Sequence, residues 1–190
     1  MIHGVRVQVL SSFEDLPGTL VCDEDEIVEK QLVSGIAYSR DEAKITVQRV
    51  ADRPGGAASL FGPLADSAIN VDMIVQNISE DGEKTDLTFT LPKTDLKRAI
   101  AALEKAGKKD VKFKSLLTNT DVAKVSVVGV GMRSHAGLAQ KMFQTLADKN
   151  INILVISTSE IKISVLIKAT SLEVALRALH TAYGLDKKEK

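Results

Sequence analysis

The stretch that decides the fold is Val50-Ala51-Asp52-Arg53-Pro54-Gly55-Gly56-Ala57, a turn between an alternating segment and a helical one. Before it, residues 44–50 alternate polar and apolar side chains, which predicts a half-buried strand. After it, apolar residues recur at helical spacing, at Ala57, Leu60, Phe61, Leu64, Ala65 and Ala68. The sequence therefore predicts a strand that turns through two glycines directly into a helix.

This turn is a candidate site for a free amino acid. The first N–H groups of a helix lack intrahelical partners, and with the helix dipole they attract an anion such as a carboxylate. Asp52 precedes these donors, and its negative charge could hold an ammonium group. In a simpler interpretation, Asp52 only caps the helix while Gly55 and Gly56 only turn the chain. The turn by itself leaves both interpretations open.

Composition restricts the class of protein. The 190 residues are 44% hydrophobic and 26% charged with a formal net charge of zero, which is typical of a globular protein and unfavourable for nucleic-acid binding. The single cysteine, Cys22, excludes an internal disulfide framework and indicates a reducing compartment. Three scattered histidines predict no zinc site, and neither a long apolar run nor a signal peptide is visible. We therefore expect a cytoplasmic protein without membrane contact.

Outward from the turn, the sequence predicts the order βαββαβ. The expected elements, in chain order, are a strand at residues 44–50, a helix at 57–68, strands at 70–77 and 85–91, a helix at 94–107 and a strand at 111–117. This order is the ferredoxin-like plan, in which two helices cover one face of an antiparallel sheet. The fold class predicted for this part of the chain is therefore α+β.

The same order begins again further along the chain. Residues 124–130 match residues 44–50 at a spacing of 80, and the segment from Phe143 to Asn152 matches that from Phe61 to Asn70 at a spacing of 82. The second copy continues with expected strands at 153–157 and 161–168 and a helix at 171–183. This internal duplication predicts two ferredoxin-like modules.

The second copy lacks its fourth strand, because only a short, charged segment follows its last helix. Without that strand, one edge of its sheet would stay unpaired. Residues 31–38 form the nearest strand pattern outside the first copy. We therefore expect these residues to complete the second module, so that the first copy is inserted within the second.

Two such modules with an Asp-x-Pro-Gly turn resemble paired ACT domains, and specifically the regulatory region of aspartate kinases. The resemblance covers nearly the whole chain and is carried by residues 122–137, 156–167, 177–180, 71–77 and 85–90. Residues 4–20 look like the segment that ends the kinase domain. The implied domains are residues 1–30 as kinase tail and linker, 41–119 as ACT domain 1, and 31–40 with 120–186 as ACT domain 2.

The resemblance implies a regulatory function for this chain. Aspartate kinases open with a Lys-Phe-Gly-Gly-Thr-Ser motif, which this sequence does not contain. The chain thus looks like the β subunit of a heterotetrameric aspartate kinase, a homodimer through its ACT domains that joins catalytic α subunits. The family implies feedback inhibition by threonine, lysine or both in lysine, threonine and methionine biosynthesis. It implies no catalytic residue, metal site or cofactor here, with ATP and magnesium expected only in the kinase domain.

The family also assigns roles to individual residues. Asp52 is expected to bind the effector ammonium, the backbone at 55–57 its carboxylate, and Gln76 its side chain. Residues 70–72 are expected to line the pocket, and Asn150, Asn152 and Ile153 of the partner module to close it. The candidate effector residues are Asp52, Arg53, Gly55, Gly56, Ala57, Asn70, Val71, Asp72, Gln76, Asn150, Asn152 and Ile153.

The second copy departs from this pattern, and other functions remain open. Its turn reads Met132-Arg133-Ser134-His135-Ala136, without an acidic residue, so its pocket is not expected to bind the same ligand. One alternative is an amino-acid-binding ACT protein without a kinase partner. Another is an RNA-binding βαββαβ protein, which needs aromatic side chains on the central strands, where only Phe89 is available.

Overall fold

The computed structural model describes residues 7–13, 15–21, 32–78, 84–107, 111–129 and 137–186. Its strands are β1 (Val7–Val9), β2 (Thr19–Val21), β3 (Gly35–Ala51), β4 (Asp72–Ile78), β5 (Lys84–Leu91), β6 (Ser115–Val128), β7 (Ile153–Thr158) and β8 (Lys162–Lys168). Its helices are α1 (Gly56–Asp66), α2 (Leu96–Gly107), α3 (Leu138–Asp148) and α4 (Leu172–Tyr183). The predicted α+β class is confirmed.

A six-stranded antiparallel sheet in the order β4-β5-β3-β6-β8-β7 carries both copies. Its two central strands, β3 and β6, pass through both modules. The second half of β3 pairs with β5 and with the first half of β6. Gly35–Ser39, at the start of β3, pairs with Lys124–Val128 at the end of β6. The start of β3 thus supplies the strand that the second copy lacks.

One expectation about these central strands is wrong. The sequence predicts four separate strands here, whereas the structure has two continuous ones, because no proline or glycine interrupts residues 39–43 or 118–123. The register instead shifts on either side of Glu42, where β-bulges change the pairing of β3 with β6. The strand expected at 31–38 begins at Gly35, and Gln31 lies outside the described residues.

Each module has its own hydrophobic core between the sheet and two helices. In the first module, Ile45 and Phe89 of the sheet pack in one cluster with Leu60 of α1 and Leu103 of α2. In the second module, residues of β6 and β8 pack with α3 and α4, together with Val33, which precedes β3. Burial of one such side chain stabilises the fold by ~1.5–3 kcal/mol. The two helix pairs therefore hold the two copies as separate cores on a shared sheet.

A third, smaller cluster lies on the sheet face turned away from the helices, here called the inner face. Side chains alternate along a strand, so Val122 and Leu166 point away from the neighbouring core residues of β6 and β8. They pack with Met73 of β4 and Val155 of β7. The edge strands β4 and β7 also contact each other. The sheet is therefore bent, and the inner faces of the two modules meet.

Strands β1 and β2 form a separate two-stranded ribbon. Its large apolar side chains are exposed, and Phe13 between the strands is 97% exposed. The ribbon therefore has no hydrophobic core of its own. Within the described part of the chain, no helix is long and apolar enough to cross a membrane.

Candidate functional site

The turn between β3 and α1 is built on two glycines with different roles. Gly55 is the N-cap of α1 and has a left-handed conformation, with φ of 85°, that favours glycine. Its carbonyl accepts the N–H of Ser59 at 2.9 Å, which starts the helix. A Cβ on Gly56 would lie 3.1 Å from the carbonyl oxygen of Ala51, so a side chain there would crowd the end of β3.

The hydrogen bonds within this turn determine which backbone N–H groups are available to a ligand. The N–H of Gly56 already donates to the carbonyl of Arg53 at 3.0 Å. The next two N–H groups of the helix, those of Ala57 and Ala58, have no partner within an α-helix. Of the backbone donors at the start of the helix, that of Gly56 is therefore used within the turn, whereas those of Ala57 and Ala58 are not used by the helix.

A β-bulge interrupts β3 just before this turn. The register of β3 against β5 shifts between Val47 and Val50, and Arg49 in the bulge has φ of 57°. The N–H of Arg49 donates to a carboxylate oxygen of Asp86 on β5 at 2.7 Å, which fixes the bulge. Bulges bend a strand and redirect its side chains, and this one precedes Asp52 by three residues.

Asp52 and Gln76 meet at a cavity of about 190 Å³ beside the helix start. The side-chain amide of Gln76 donates to Asp52 Oδ1 at 3.4 Å, across from β4 to the turn. The N-cap of α1 is Gly55 without a side-chain capping bond, so the interpretation of Asp52 as the helix cap is wrong. The Asp52 carboxylate is exposed. It lines the cavity together with Ala57 and Ala58, whose N–H groups are hydrogen-bond donors.

The cavity gathers six of the twelve candidate residues: Asp52, Arg53, Gly55, Gly56, Ala57 and Gln76. The other lining residues were not among the candidate effector residues; they are Val50, Ala51, Ala58, Thr85 and Leu87. Thr85 and Leu87 come from β5, which pairs with both β3 and β4. Because side chains alternate along a strand, the sequence predicts that Thr85 and Leu87 lie on the same face of β5. It does not predict that β5 pairs beside the turn, which is what brings these two residues to the cavity.

The remaining six candidates lie outside the lining of this cavity. Asn70, Asn150 and Asn152 are exposed, and Val71 packs against the core of the first module. Asp72 contacts Lys124, and Ile153 lines a second cavity. Within one chain the structure therefore does not bring residues 150–153 to Asp52.

The turn of the second copy can be compared only at its end, since residues 130–136, including His135, lie outside the described residues. Gly137 is the N-cap of α3 with φ of 97°, and its carbonyl accepts the N–H of Lys141 at 2.8 Å. Gly55 makes the same contact with Ser59. The duplication thus extends to the backbone geometry at the start of the helix.

A charged cluster of Glu42, Lys124 and Asp72, which the sequence did not indicate, lies on the inner face. The Lys124 ammonium is 2.8 Å from Glu42 Oε1 and 2.8 Å from Asp72 Oδ2, and Glu42 is 5% exposed. The hydrogen bond from Lys124 holds the pKa of Asp72 below its usual value, against the effect of burial. Burial would lower the pKa of Lys124, but hydrogen bonds to Asp72 and Glu42 outweigh it and the pKa is raised.

The described residues support neither metal binding nor base stacking with RNA. No group of three or more histidine, cysteine, aspartate or glutamate residues there is placed to hold a metal ion. Phe89, the candidate for base stacking, is fully buried and packs edge-on against Phe61 at 5.1 Å. Base stacking needs an exposed ring, so the RNA-binding alternative loses the aromatic residue on which it depended.

Comparisons with known proteins agree with the duplicated fold. Family models of the ACT domain match residues 44–108 and 125–183. An aspartate kinase of Stutzerimonas stutzeri is 49% identical over 185 residues, which are 97% of this chain and 44% of that protein. The chain therefore spans less than half the length of this curated relative.

Two solved structures are similar over most of the chain. One chain in the crystal structure of aspartokinase alpha and beta subunits is 45% identical with a TM-score of 0.74. The ligand-free regulatory subunit of aspartate kinase from Thermus thermophilus is 39% identical with a TM-score of 0.75. Each comparison covers 80% of this chain and 99% of the other chain.

Proposed function

Because this chain belongs to the aspartate kinase family, as a regulatory region with tandem ACT domains, we propose that it senses threonine, lysine or both. Binding of the effector would transmit feedback inhibition to aspartate phosphorylation in lysine, threonine and methionine biosynthesis, in the cytoplasm. The proposal rests chiefly on the cavity where Asp52 and Gln76 meet the start of α1.

The chemistry of this cavity fits a free amino acid. The Asp52 carboxylate would accept hydrogen bonds from the effector ammonium, and the N–H groups of Ala57 and Ala58 would donate to its carboxylate. The amide of Gln76 lies beside Asp52 and can both donate to and accept from a polar side chain. A hydroxyl or an ammonium on the effector would satisfy that amide, which is consistent with threonine and with lysine.

We propose further that a second copy of the chain completes the site. Asn150, Asn152 and Ile153 do not reach the Asp52 cavity of their own chain. The exposed asparagines can contact another molecule. An effector held between Asp52 of one copy and these residues of another would link ligand binding to homodimer formation.

The kinase partner and the domain boundaries are also part of this proposal. Residues 1–30 would be the end of the kinase domain and a linker, and residues 41–119 ACT domain 1. Residues 31–40 with 120–186 would be ACT domain 2. The exposed apolar side chains of the β1–β2 ribbon, such as Val9 and Phe13, support a contact with the catalytic α subunit of a heterotetramer. Alternatively, the same surface would meet the catalytic part of a longer chain.

The experiment that tests the effector site is calorimetry of threonine and lysine binding to Asp52→Ala. A charge-assisted hydrogen bond contributes ~1.5–3 kcal/mol, so we expect binding to weaken about tenfold or more from a dissociation constant near ~10 μM. The matched control is Asp66→Ala, which removes an exposed carboxylate from the same segment outside the cavity. Sedimentation with and without effector tests the link to dimer formation.

Equal affinity of Asp52→Ala and the unchanged protein, with normal melting curves, would show that Asp52 does not bind the effector. Loss of binding in both aspartate variants would point to a general effect of charge instead. Dimer formation that is independent of effector would count against a site shared by two chains.

A further inference from the structure

A second cavity, of about 350 Å³, lies between the inner faces of the two modules. Lys44, Asn77 and Thr88 of the first module form its polar side, and Val75 with residues 153–156 its apolar side. Lys44 is the one charged residue among the described residues that line it. Within one chain the Asp52 cavity shares none of these residues, so the two cavities are separate. Ile153 alone among them is also proposed to contact an effector, which is bound at Asp52 of a second copy.

The duplication relates this cavity to the charged cluster around Lys124. At the spacing of 80, Lys44 of β3 is equivalent to Lys124 of β6. A hydroxyl pair beside each lysine shows the same equivalence, Thr46 with Thr88 at 2.9 Å and Ser126 with Ser164 at 2.7 Å. The two lysines therefore occupy the same place on the inner faces of their modules.

Their partners differ completely. Lys124 is paired with the carboxylates of Glu42 and Asp72. The residue equivalent to Glu42 is Val122, and at the spacing of 82 the residue equivalent to Asp72 is Leu154. Leu154 lines the cavity with Lys44. Within the described residues, Lys44 thus lacks the carboxylates that its counterpart has, and a cavity lies beside it.

Hydrogen-bonding groups near Lys44 are also incompletely used. The hydroxyls of Thr46 and Thr88 share one hydrogen bond, which uses one of their two hydrogens and leaves the other for a third group. Thr90, the register partner of Lys44 on the same sheet face, is fully buried. Its hydroxyl has no hydrogen-bond partner among the described residues. Buried polar groups are normally paired, but Thr90 does not line the cavity, so the hydroxyl hydrogen available to a ligand there is that of the Thr46–Thr88 pair.

We propose that this cavity binds a small aliphatic carboxylate. The carboxylate lies against Lys44 and the free hydroxyl hydrogen of the Thr46–Thr88 pair. This position corresponds to that of the Asp72 carboxylate beside Lys124. The aliphatic part lies against Val75 and residues 153–156. Because the ligand contacts both β4 and β7, it bridges the two modules at their edges.

Calorimetry with pentanoate on the full chain tests the proposal, with pentan-1-ol as the uncharged control. Titration to about 10 mM detects a dissociation constant of ~1 mM, and we expect pentanoate to bind and pentan-1-ol not to bind. Lys44→Met should weaken pentanoate about tenfold or more while leaving threonine binding unchanged. Asp52→Ala should bind pentanoate as the unchanged protein does, which separates this site from the proposed effector site.

A second variant tests the same cavity by filling it with a carboxylate of the protein itself. Leu154→Asp places a carboxylate where Asp72 lies in the other copy. We expect it to pair with Lys44, abolish pentanoate binding and raise the melting temperature by about 2 °C. Absence of pentanoate binding to the unchanged protein would overturn the proposal, as would equal binding by Lys44→Met. Pentanoate binding that persists in a folded Leu154→Asp variant would also overturn it.

Discussion

Lys124 and Lys44 lie at equivalent positions in two copies of one module, yet their surroundings have diverged. Lys124 joins β4 of the first module to β6 through Asp72 and is held by the nearly buried Glu42. Lys44 instead lines a cavity with β7 of the second module. The difference comes from two substitutions in the duplicated pattern, in which Glu42 and Asp72 are equivalent to Val122 and Leu154. One side of the inner face is thus closed by charge pairing, and the other is open.

The duplicated modules are equivalent in fold and unequal in how they join. The backbone of the second copy repeats the first even at the glycine N-cap of the helix. Side chains on the inner face, by contrast, differ where they cross between modules. A duplicated fold can therefore keep its cores and change its junction, because the junction residues are not needed for either core.

The largest expected effect comes from removing the strand that the two modules share. A chain that begins at Asp41 loses the pairing of Gly35–Ser39 with β6 and the buried Val33. Burial of one such side chain is worth ~1.5–3 kcal/mol, and a domain is stable by only ~5–15 kcal/mol. We expect hydrogen exchange to show lost protection at residues 122–128 and 138–183 and retained protection at 44–107.

The matched control is a chain that begins at Leu32, which keeps the strand and removes only the preceding residues. Its protection should equal that of the full chain in both modules. Equal protection of both modules in the chain that begins at Asp41 would contradict the proposed domain boundaries.

An intermediate effect is expected from removing each lysine in turn. Lys124→Met leaves the buried Glu42 and the half-exposed Asp72 without their cation. Loss of one partner of a buried pair costs ~3–5 kcal/mol, and the 51% exposure of Asp72 lowers our expectation to about 2–4 kcal/mol. Lys44→Met removes no ion pair among the described residues and should cost under about 0.5 kcal/mol.

Urea unfolding of the two variants measures this difference directly. The pair of variants is matched in chemistry and in position within the module, so intrinsic effects of the exchange cancel. Equal losses of stability would mean that the charged cluster does not distinguish the two sides of the inner face.

The smallest effect expected is a dependence on acid pH. The pKa of Asp72 is lowered in the folded state by the hydrogen bond from Lys124. Its contribution is therefore present above the unfolded value of about 3.9 and is lost as pH falls through the folded value. Since Asp72 is half exposed, we expect under about 1 kcal/mol.

This contribution is measured as the difference in unfolding free energy between the unchanged protein and Asp72→Asn. The difference should be present at pH 7 and shrink toward pH 3. Leu154 has no titratable group, so Leu154→Asn at the equivalent position is the control and should show a difference independent of pH. If the difference in unfolding free energy for Asp72→Asn did not change with pH, the ionised Asp72 would not contribute to the charged cluster.

The two modules were predictable from the amino-acid sequence, as were six of the residues that line the Asp52 cavity. Hydrophobic periodicity indicated the helices and the edge strands, because it reflects contacts within a few turns or strands. The repeat spacing indicated the second module. The motif around Asp52 and the glycines is contiguous, so its residues were found together. Gln76 was added through the family resemblance, and the structure places it against Asp52.

Contacts between distant segments could not be predicted from the sequence and depend on the tertiary fold. Continuity of β3 and β6 through both modules depends on pairing that runs from Gln48 with Ser115 to Gly35 with Val128, residues far apart in the sequence, which local patterns do not encode. The partners of Lys124 come from β3 and β4, and the cavity beside Lys44 from β4, β5 and β7. A sequence pattern shows that a lysine points away from the core, but the bend of the sheet determines whether a carboxylate or an open cavity lies opposite it.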